Sequence, residues 1–464
     1  MVGTLHIIGG GMAGLAAAVE AVGTCKHIVL HESGNVCGGR ARSYDDKHLG
    51  SHIDNGNHLF LSANKTIFRY LNLIGSVETL TGPKAPLFPF VDLRDDLRWT
   101  LSLSRGKLPW WLLQPHRRVP EMRLSELRSL YKLFSATGQT TVTECLLPGT
   151  LSRRLLIPLS ISALNTPCEI SSAALLGAVL RESLFHGGKA CIPWFVSKGL
   201  SETFVTPALA YLRYMQAEIR LQSRITRLET SQESFPYRRV TALHTSHGLI
   251  PLTRDDQVIL AVPAPIAKSL LGQHIPHLTV PTEFESILNV HFRLDTPPIP
   301  IGSLARCGFI GIIGGIAEWI FLRDHIISVT VSAANRFASK NSDDLIHKIW
   351  HDVRRACDPT LSHPLPLHPT AQRTIWEKRA TFSATSAQNH LRPGSTTLLT
   401  NLTLAGDWIS TGLPATIEGA MRSGVQAVEI LGLKRPSLHY PPIFLHNLIH
   451  TKKERRPNNA KNWH

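Results

Sequence analysis

The apolar and polar residues at the start of the chain alternate in blocks that predict three secondary-structure elements. Thr4 to Ile8 is a short run rich in strand-forming residues, and His27 to His31 is a second one. Between them, Met12 to Val22 is rich in alanine and leucine, which favour helix. The order predicts a strand, a helix and a second strand.

Further along the chain the pattern predicts both strands and helices. Alternating apolar residues from Glu218 to Glu229 and the apolar run Gln257 to Val262 predict strands on either side of a polar hairpin-like region. Ile326 to Val331 predicts a strand of an antiparallel sheet. The middle, about Ser125 to Arg213, holds amphipathic segments of helix length interrupted by prolines, and we interpret it as mostly helical.

Length and charge limit the possible architectures and partners. A chain of 464 residues exceeds the size at which one hydrophobic core usually divides, so two domains are expected. The 49 Lys and Arg residues against 34 Asp and Glu give a formal charge of +15, which suits an anionic surface such as phospholipid or nucleic acid. Charge alone does not choose between them.

Cysteine usage and hydropathy predict a cytoplasmic protein. The seven cysteines are scattered singly without a CxxC pair, as in proteins kept reduced, and no cleavable apolar leader precedes the glycines at the N-terminus. The most apolar run, Cys307 to Leu322, contains four glycines and Glu318. It falls short of the roughly 20 apolar residues of a membrane-spanning helix, so none is expected.

The glycine-rich turn after the first predicted strand indicates a dinucleotide site. Gly9, Gly11 and Gly14 fit the pattern GxGxxG, which allows a tight turn, close approach of the backbone to a pyrophosphate, and close packing of the helix. The N-terminus of the helix offers amide groups to the anion. Glu32 follows the second strand, where a carboxylate can accept hydrogen bonds from the adenosine ribose.

Two further segments extend this site. Gly38-Gly39-Arg40-Ala41-Arg42-Ser43 joins a flexible glycine pair to arginines that can contact the same pyrophosphate from its other side. The segment from Leu404 to Gly424 places Asp407 before a predicted helix start, suited to a ribityl or pyrophosphate group and a flavin edge. With this spacing the three segments resemble the flavin-dependent amine oxidase and phytoene desaturase superfamily.

Other motifs narrow the resemblance to one branch of that superfamily. AGDW followed by TGLPATIEGAMRSG, together with Asp54-Asn55-Gly56-Asn57-His58-Leu59, is similar to the squalene-associated desaturase-like branch, whose named activity is hydroxysqualene dehydroxylase. Leu164 to Pro167, Ser172-Ala173 and Lys198 to Ser201 resemble it as well, and the match runs with gaps from about Leu5 to Leu431. Asn57 stands where the branch usually has glutamine, and Ile409 where it usually has threonine.

The resemblance implies an α/β fold: a Rossmann-like FAD-binding domain with a discontinuous mixed α+β substrate domain. We assign residues 1–70, 195–285 and 395–435 to the FAD-binding domain, 71–194 and 286–394 to the substrate domain, and 436–464 to a basic tail. It implies FAD as the cofactor and an apolar isoprenoid as the substrate. The predicted FAD-binding residues are Gly9, Gly11, Gly14, Glu32, Gly39, Arg40, Arg42, Asn55, Gly56, Ile225, Gly406, Asp407, Pro414, Ala415 and Thr416.

The activity implied by the branch is reduction of hydroxysqualene to squalene by reduced FAD, which needs help for the departing hydroxyl. His58, Glu318 and Glu418 are the candidate acids, since each lies in a segment expected near the flavin or the apolar tunnel. No HExxH motif, His/Cys cluster or GxSxG elbow occurs, so neither a metal nor a serine nucleophile is predicted. A polyene desaturase, an amine oxidase and a non-enzymatic prenyl-binding module on the same fold remain alternatives.

One basic and aromatic segment suggests contact with a membrane. Arg105 to Arg118 reads RGKLPWWLLQPHRR, in which apolar residues are flanked by cations, as in interfacial segments. A helix packed on its own core would explain the pattern equally well. We therefore expect a cytoplasmic protein with possible peripheral attachment to the inner face of the cytoplasmic membrane and no nucleic-acid partner. The sequence leaves the oligomeric state open.

Overall fold

The structure, a computed structural model, describes residues 2–233 and 238–433. Its strands are β1 (Val2–Ile8), β2 (Cys25–His31), β3 (Ser43–Asp46), β4 (Ser51–Asp54), β5 (Phe60–Leu61), β6 (Leu80–Thr81), β7 (Leu87–Asp92), β8 (Leu97–Ser102), β9 (Pro193–Val196), β10 (Glu218–Arg220), β11 (Ile225–Thr230), β12 (Val240–Thr245), β13 (Gly248–Pro251), β14 (Gln257–Leu260), β15 (Phe284–Arg293), β16 (Phe309–Ile313), β17 (Trp319–Arg323), β18 (Ile326–Val331), β19 (Ala371–Phe382) and β20 (Leu402–Leu404).

The α-helices are α1 (Met12–Ala21), α2 (Lys65–Ile74), α3 (Arg128–Ser135), α4 (Val142–Cys145), α5 (Ile157–Leu164), α6 (Ala173–Glu182), α7 (Thr206–Tyr214), α8 (Ala264–Leu271), α9 (Gly302–Cys307), α10 (Ser342–Cys357), α11 (Ser386–His390) and α12 (Ile417–Ile430). Two π-helical turns, Ser152–Leu156 and Ser201–Val205, run directly into α5 and α7. The region from α3 to α7 is therefore mostly helical, as its amphipathic pattern predicts.

A five-stranded parallel sheet carries the first core, in the order β10, β2, β1, β14, β20. Its centre, β1, pairs Ile7 with Leu30 on one side and with Ile259 on the other. Helix α1 is alanine-rich and every residue of it is buried, so it lies between the sheet and α12. The α/β fold class is confirmed, and all five strands lie in segments assigned to the FAD-binding domain.

A seven-stranded mixed sheet carries the second core, in the order β19, β15, β18, β17, β16, β7, β8. Because side chains alternate along a strand, its two faces differ in chemistry. Val290 and Val329 lie in the core that α10 covers, while Asn289 and Thr330 alternate with them and point to the opposite face. That polar face meets the turn after β4 at Asn55. The division into domains remains a proposal.

Two sequence predictions need correction. Glu218 to Glu229 is not one strand but two, β10 and β11, which belong to different sheets. The chain turns between them at Gln222, whose φ is +55°, because its N–H donates to the carbonyl oxygen of Gly34. For Arg105 to Arg118, the alternative of a helix packed on its own core is wrong, because the segment forms two short 3-10 turns, Trp110–Leu113 and Pro115–Arg117, and no α-helix.

Within the described ranges no helix is both long and apolar enough to cross a bilayer. The basic tail predicted at 436–464 lies outside the described residues.

Candidate functional site

The turn between β1 and α1 leaves an open surface at the helix N-terminus. Gly9 has a φ of +110°, which favours glycine, and a methyl group at Gly14 would overlap the carbonyl oxygen of Gly9. A methyl group at Gly11 would meet no atom of the chain within 4 Å. Gly11 is the N-cap of α1, no side chain caps the helix, and its first turn has no acidic residue. Its backbone amides are thus available to an anion.

The acidic residue after β2 holds the loop beside this turn. The Glu32 carboxylate accepts hydrogen bonds from the N–H of Gly10 at 2.8 Å and of Gly34 at 2.7 Å. Its carbonyl oxygen accepts from the N–H of Ser223 at 2.8 Å, two residues before Ile225. Ile225 is buried at the start of β11. Glu32 and Ile225 thus lie on two segments that contact each other beside the glycine turn.

The turn that contains Gly38 and Gly39 faces the turn between β1 and α1 across the open surface. Gly38 donates its N–H to the carbonyl oxygen of Gly10 at 2.8 Å. Gly39 has a φ of +56°, and the nearest atom to a methyl group there would be the Cα of Gly11, at 3.3 Å. Arg42 is exposed, and its N–H donates to the side-chain oxygen of Asn55 at 3.1 Å. The two glycine turns and the N-terminal end of α1 form one cradle.

Arg40 links its own segment to the loop after β20 and to β19. Its guanidinium forms an ion pair with Asp407 at 2.7 Å and donates to the carbonyl oxygen of Ala380, in β19, at 2.6 Å. The carboxylate of Asp407 raises the pKa of Arg40, so the cation stays charged. A fixed cation and an acid thus meet at the cradle where the β20 loop approaches.

The loop after β20 leads into the N-terminus of α12. The N–H of Gly406 donates to the hydroxyl of Ser423 at 2.8 Å, and Thr416 caps α12 by accepting from the N–H of Gly419 at 3.0 Å. Pro414 is buried and Ala415 half-buried between them. This loop presents the helix N-terminus, with its partial positive charge, toward the cradle.

The loop after β20 also contains a buried polar atom that shows whether a cofactor fits the site. The hydroxyl oxygen of Thr411 is buried and has no hydrogen-bond partner in the part of the chain that the structure describes. A methyl group at the neighbouring Gly412 would meet nothing within 4 Å. A buried polar atom without a partner, beside open space at Gly412, is what a bound dinucleotide would complete. The residues present fit FAD.

A chain of amide and hydroxyl groups fixes the turn after β4 against the seven-stranded sheet. Asn57 donates to the hydroxyl of Thr330 at 3.0 Å, and that hydroxyl donates to Asn289 at 2.9 Å. Asn289 in turn donates to the carbonyl oxygen of Asn55 at 3.2 Å, and its side chain lies 3.2 Å from the position of a methyl group on Gly56. Asn57 is thus long enough to reach its partner, although glutamine is usual at this position.

His58 follows that turn and lies near the cofactor cradle. Its ring stacks on Phe60 at 6.2 Å between centroids. Burial lowers the pKa of His58 to about 4, with Arg40 acting in the same direction and Asp54 opposing it. The imidazole is neutral near pH 7, so it can donate one hydrogen bond but carries no extra proton.

The two glutamate candidates have different surroundings. Glu418 is buried, and its oxygens accept from the N–H groups of Thr66 at 3.1 Å and Ile67 at 3.0 Å. This places it as a cap on α2. Glu318 accepts from the N–H of Ser332 at 2.8 Å and pairs with Arg336 at 2.6 Å. Burial raises its pKa despite the arginine, which favours the protonated acid.

An apolar layer runs from the turn that carries His58 across the seven-stranded sheet. Leu59 packs on a cluster of Phe309 and Phe321, which Trp319 joins to a second cluster around Phe90. The ring centroids of Phe309 and Trp319 are 6.0 Å apart, and those of Phe90 and Trp319 are 5.7 Å apart. The layer suits a long apolar ligand.

Sequence reasoning missed three residues that shape the site. Asn289 and Thr330 read as ordinary strand residues, and only their polarity inside an apolar pattern could have marked them. Arg392 is buried, and it donates to the carbonyl oxygens of Trp408 and Ile409, which holds the loop after Asp407 in place. Burial lowers the pKa of Arg392 to about 10, so it stays a cation at neutral pH. No grouping of three or more His, Cys, Asp or Glu side chains suited to a metal occurs in residues 2–233 or 238–433.

Comparisons with known proteins agree with this geometry. Residues 12–431 match the family described as flavin containing amine oxidoreductase. The chain is 39% identical over 426 residues to hydroxysqualene dehydroxylase of Zymomonas mobilis, covering 92% of this chain and 98% of the relative. It is 40% identical over 427 residues to the protein of that name in Sinorhizobium fredii, covering 92% and 97%.

A solved structure of putrescine oxidase has the same fold. It superposes with a TM-score of 0.65 at 13% identity, and the match covers 92% of this chain and 99% of that one. FAD as the cofactor is confirmed. The chain is an FAD-dependent oxidoreductase, a member of the flavin containing amine oxidoreductase family and, within it, of the hydroxysqualene dehydroxylases.

Proposed function

We propose that this enzyme reduces hydroxysqualene to squalene in the synthesis of hopanoids or related triterpenes. The proposal is supported by identity to relatives of that name along 92% of the chain. The site fits the reaction because the apolar layer reaches Leu59, directly beside His58 and the cofactor cradle. When bound, reduced FAD supplies the hydride.

The residues of the chain have three tasks in this reaction. The cradle of Gly11, Gly39 and Arg40 binds and orients the dinucleotide. The aromatic layer holds the isoprenoid and excludes water from the reacting carbon. At that carbon the C–O bond breaks, a C–H bond forms with the incoming hydride, and the oxygen leaves as water after taking a proton. The allylic position of the alcohol stabilises the positive charge that develops.

His58 is our candidate for assisting the departing hydroxyl. Its neutral ring can donate a hydrogen bond to that oxygen, and it lies where the cofactor turn meets the apolar layer. Glu318, whose raised pKa favours a proton, is the second candidate. Glu418 is the least suited, because two backbone amides and Arg422 occupy its carboxylate.

We also propose that the enzyme works at the inner face of the cytoplasmic membrane without crossing it, because an apolar isoprenoid would be dissolved there. A peripheral position would let the substrate pass from the bilayer to the site without entering water.

The reaction is tested by a single turnover. Anaerobic enzyme with reduced FAD and hydroxysqualene should give oxidised flavin and one equivalent of squalene. With flavin reduced in deuterated solvent, deuterium should appear at the former carbinol carbon. If hydroxysqualene leaves the reduced flavin unchanged while oxidised enzyme desaturates a polyene or oxidises an amine, the proposed substrate is wrong.

The three candidate residues are separated by the same turnover. We expect His58→Ala, which removes a hydrogen-bond donor from the departing oxygen, to slow flavin oxidation by roughly 10²- to 10³-fold with FAD retained. Glu418→Gln should lower thermal stability, because α2 loses part of its cap, and leave the rate of the folded enzyme within a few-fold. If only Glu318→Gln loses most of the rate of flavin oxidation, Glu318 and not His58 assists the departing hydroxyl.

A further inference from the structure

Five large apolar side chains are highly exposed in three separate segments of the substrate domain. The exposed fractions are 62% for Leu108, 60% for Trp110, 64% for Leu113, 75% for Tyr131 and 70% for Phe185. Their neighbour Trp111 is only 5% exposed and packs inward on Phe90, so only part of the aromatic pair faces solvent. We call Leu108, Trp110, Leu113, Tyr131 and Phe185 the docking face.

Contacts between the segments bring these side chains to one surface. Leu184 and Leu112 pack on the cluster that contains Trp111. The N–H of Gly188 donates to the carbonyl oxygen of Ser104 at 3.0 Å, and the N–H of Lys189 to that of Arg105 at 3.1 Å. The next contact joins α3, because Phe134 meets Phe185 edge-on at 6.1 Å between centroids, and Tyr131 lies one turn before Phe134.

The surroundings of the docking face are basic. The ranges 105–118, 128–135 and 184–189 contain no Asp or Glu. Five exposed cations lie in them: Arg105, Lys107, Arg128, Lys132 and Lys189. Arg117 and Arg118 are half-buried and donate to backbone carbonyl oxygens, so they contribute less to binding at the surface. Exposed aromatic and aliphatic groups framed by cations match an anionic lipid surface.

The docking face is continuous with the apolar layer of the site. Trp111 belongs to the same cluster as Phe90 and Trp319, and Trp319 packs on the cluster that Leu59 touches. The docking face and the turn that carries His58 therefore contact opposite ends of one continuous apolar layer.

We propose that the docking face inserts into bilayers containing anionic phospholipid and admits the substrate directly from the membrane. The proposed entry of substrate from the membrane rests on the proposed function, whereas the proposed lipid binding does not. The exposed side chains enter the region between headgroups and acyl chains, and the five cations bind lipid phosphates. This surface joins three segments that are distant in the sequence.

Vesicle co-sedimentation of the full-length holoenzyme tests the lipid-binding step. The parent should bind vesicles of phosphatidylcholine with 30% phosphatidylglycerol at least about tenfold better than pure phosphatidylcholine. Trp110→Ser, Leu113→Ser and Phe185→Ser together should lower binding at least about tenfold. A second variant, Arg105→Ser, Lys107→Ser and Lys189→Ser, should lose the preference for anionic lipid.

A matched control replaces exposed apolar residues elsewhere. Ile299 and Leu367 are 60% and 69% exposed, and Ile299→Ser with Leu367→Ser should leave binding unchanged. Equal binding by the parent and the docking-face variant would overturn the proposal. So would a dimer that only the parent forms, since the face would then join two copies of the chain.

Turnover separates this proposal from the proposed function. The docking-face variant should consume hydroxysqualene normally in detergent micelles and more slowly when the substrate is embedded in vesicles. If the parent binds vesicles but does not convert hydroxysqualene, the proposed substrate is wrong and the proposed lipid binding stands. If the docking-face variant converts hydroxysqualene at the normal rate in both micelles and vesicles, entry of the substrate from the membrane is wrong.

Discussion

Replacing Gly11 by alanine is expected to lower FAD affinity by about 100-fold or more, equivalent to roughly 2.7 kcal/mol, while the apoprotein keeps its stability. The backbone at Gly11 is extended, with φ of −74° and ψ of −177°, so alanine fits without strain. Its methyl group would project into the open space beside the N-terminus of α1, where we expect the pyrophosphate to bind. Alanine restricts the unfolded chain, which stabilises the fold by about 0.4–1 kcal/mol, and its poorer fit at the N-cap of α1 offsets a similar amount.

Gly14→Ala is the matched comparison. Here the methyl group would overlap the carbonyl oxygen of Gly9, so β1 and α1 must separate. The apoprotein itself should lose about 1–3 kcal/mol of stability along with FAD binding. Thermal unfolding of both apoproteins and fluorescence titration with FAD measure the difference. Full FAD affinity in Gly11→Ala would show that the cofactor does not approach this turn.

Acid is expected to unfold the protein steeply between about pH 6 and pH 4.5. His6, His31 and His291 are almost completely buried. Burial lowers the pKa of His6 to about 4, of His31 to about 3 and of His291 to about 4. His6 and His31 also lie against each other at 3.2 Å, with Glu218, Arg220 and Asp256 as the charged groups around them. All three rings must stay neutral in the fold.

The direction of the effect follows from proton binding. Below about pH 6.5 these histidines bind protons in the unfolded chain and not in the folded one, so stability falls as the pH falls. Above that pH the three histidines are neutral in both the folded and the unfolded chain, so their contribution to stability is constant. Each histidine adds a slope of about 1.4 kcal/mol per pH unit down to its folded pKa. The buried carboxyls of Glu318 and Asp352, whose pKa values are raised, oppose this in part.

Urea unfolding measured from pH 7.5 to pH 4.5 provides the test. His291→Asn keeps a hydrogen-bonding group beside Ser328 but cannot titrate, so its slope should be smaller than that of the parent by about 1.4 kcal/mol per pH unit. His27 is exposed, and His27→Asn should leave the slope unchanged. Parallel curves for the parent and His291→Asn would contradict the role of burial.

The parts of the fold that depend on neighbouring residues could be predicted from the sequence. The turn at Gly9, Gly11 and Gly14 is local, since tight turns and helix starts need particular residues at fixed spacing. The strand Ile326–Val331 was predicted with its observed bounds. Its alternation alone could not show that Thr330 would meet Asn57, 273 residues away in sequence.

The features of the site that could not be predicted depend on contacts between residues far apart in the chain. The ion pair of Arg40 with Asp407 joins residues 367 apart, and the motifs assigned both to one cofactor without predicting that they contact each other. The role of Glu418 changes for the same reason, because its partners, Thr66 and Ile67, lie on a helix with no sequence signal pointing to it. Trp110 and Trp111 are identical in type and adjacent, yet only tertiary packing decides which one is exposed.

The contact between α1 and α12 can form only late in the synthesis of the protein. Gly424 lies so close to α1 that a methyl group there would overlap the carbonyl oxygen of Ala13. About 400 residues separate the two helices, and ribosomes add roughly 5–20 residues per second. The newly made N-terminal unit therefore waits roughly 20 to 80 s for its partner. Until then the apolar surface of α1 is open to chaperones and to other nascent chains.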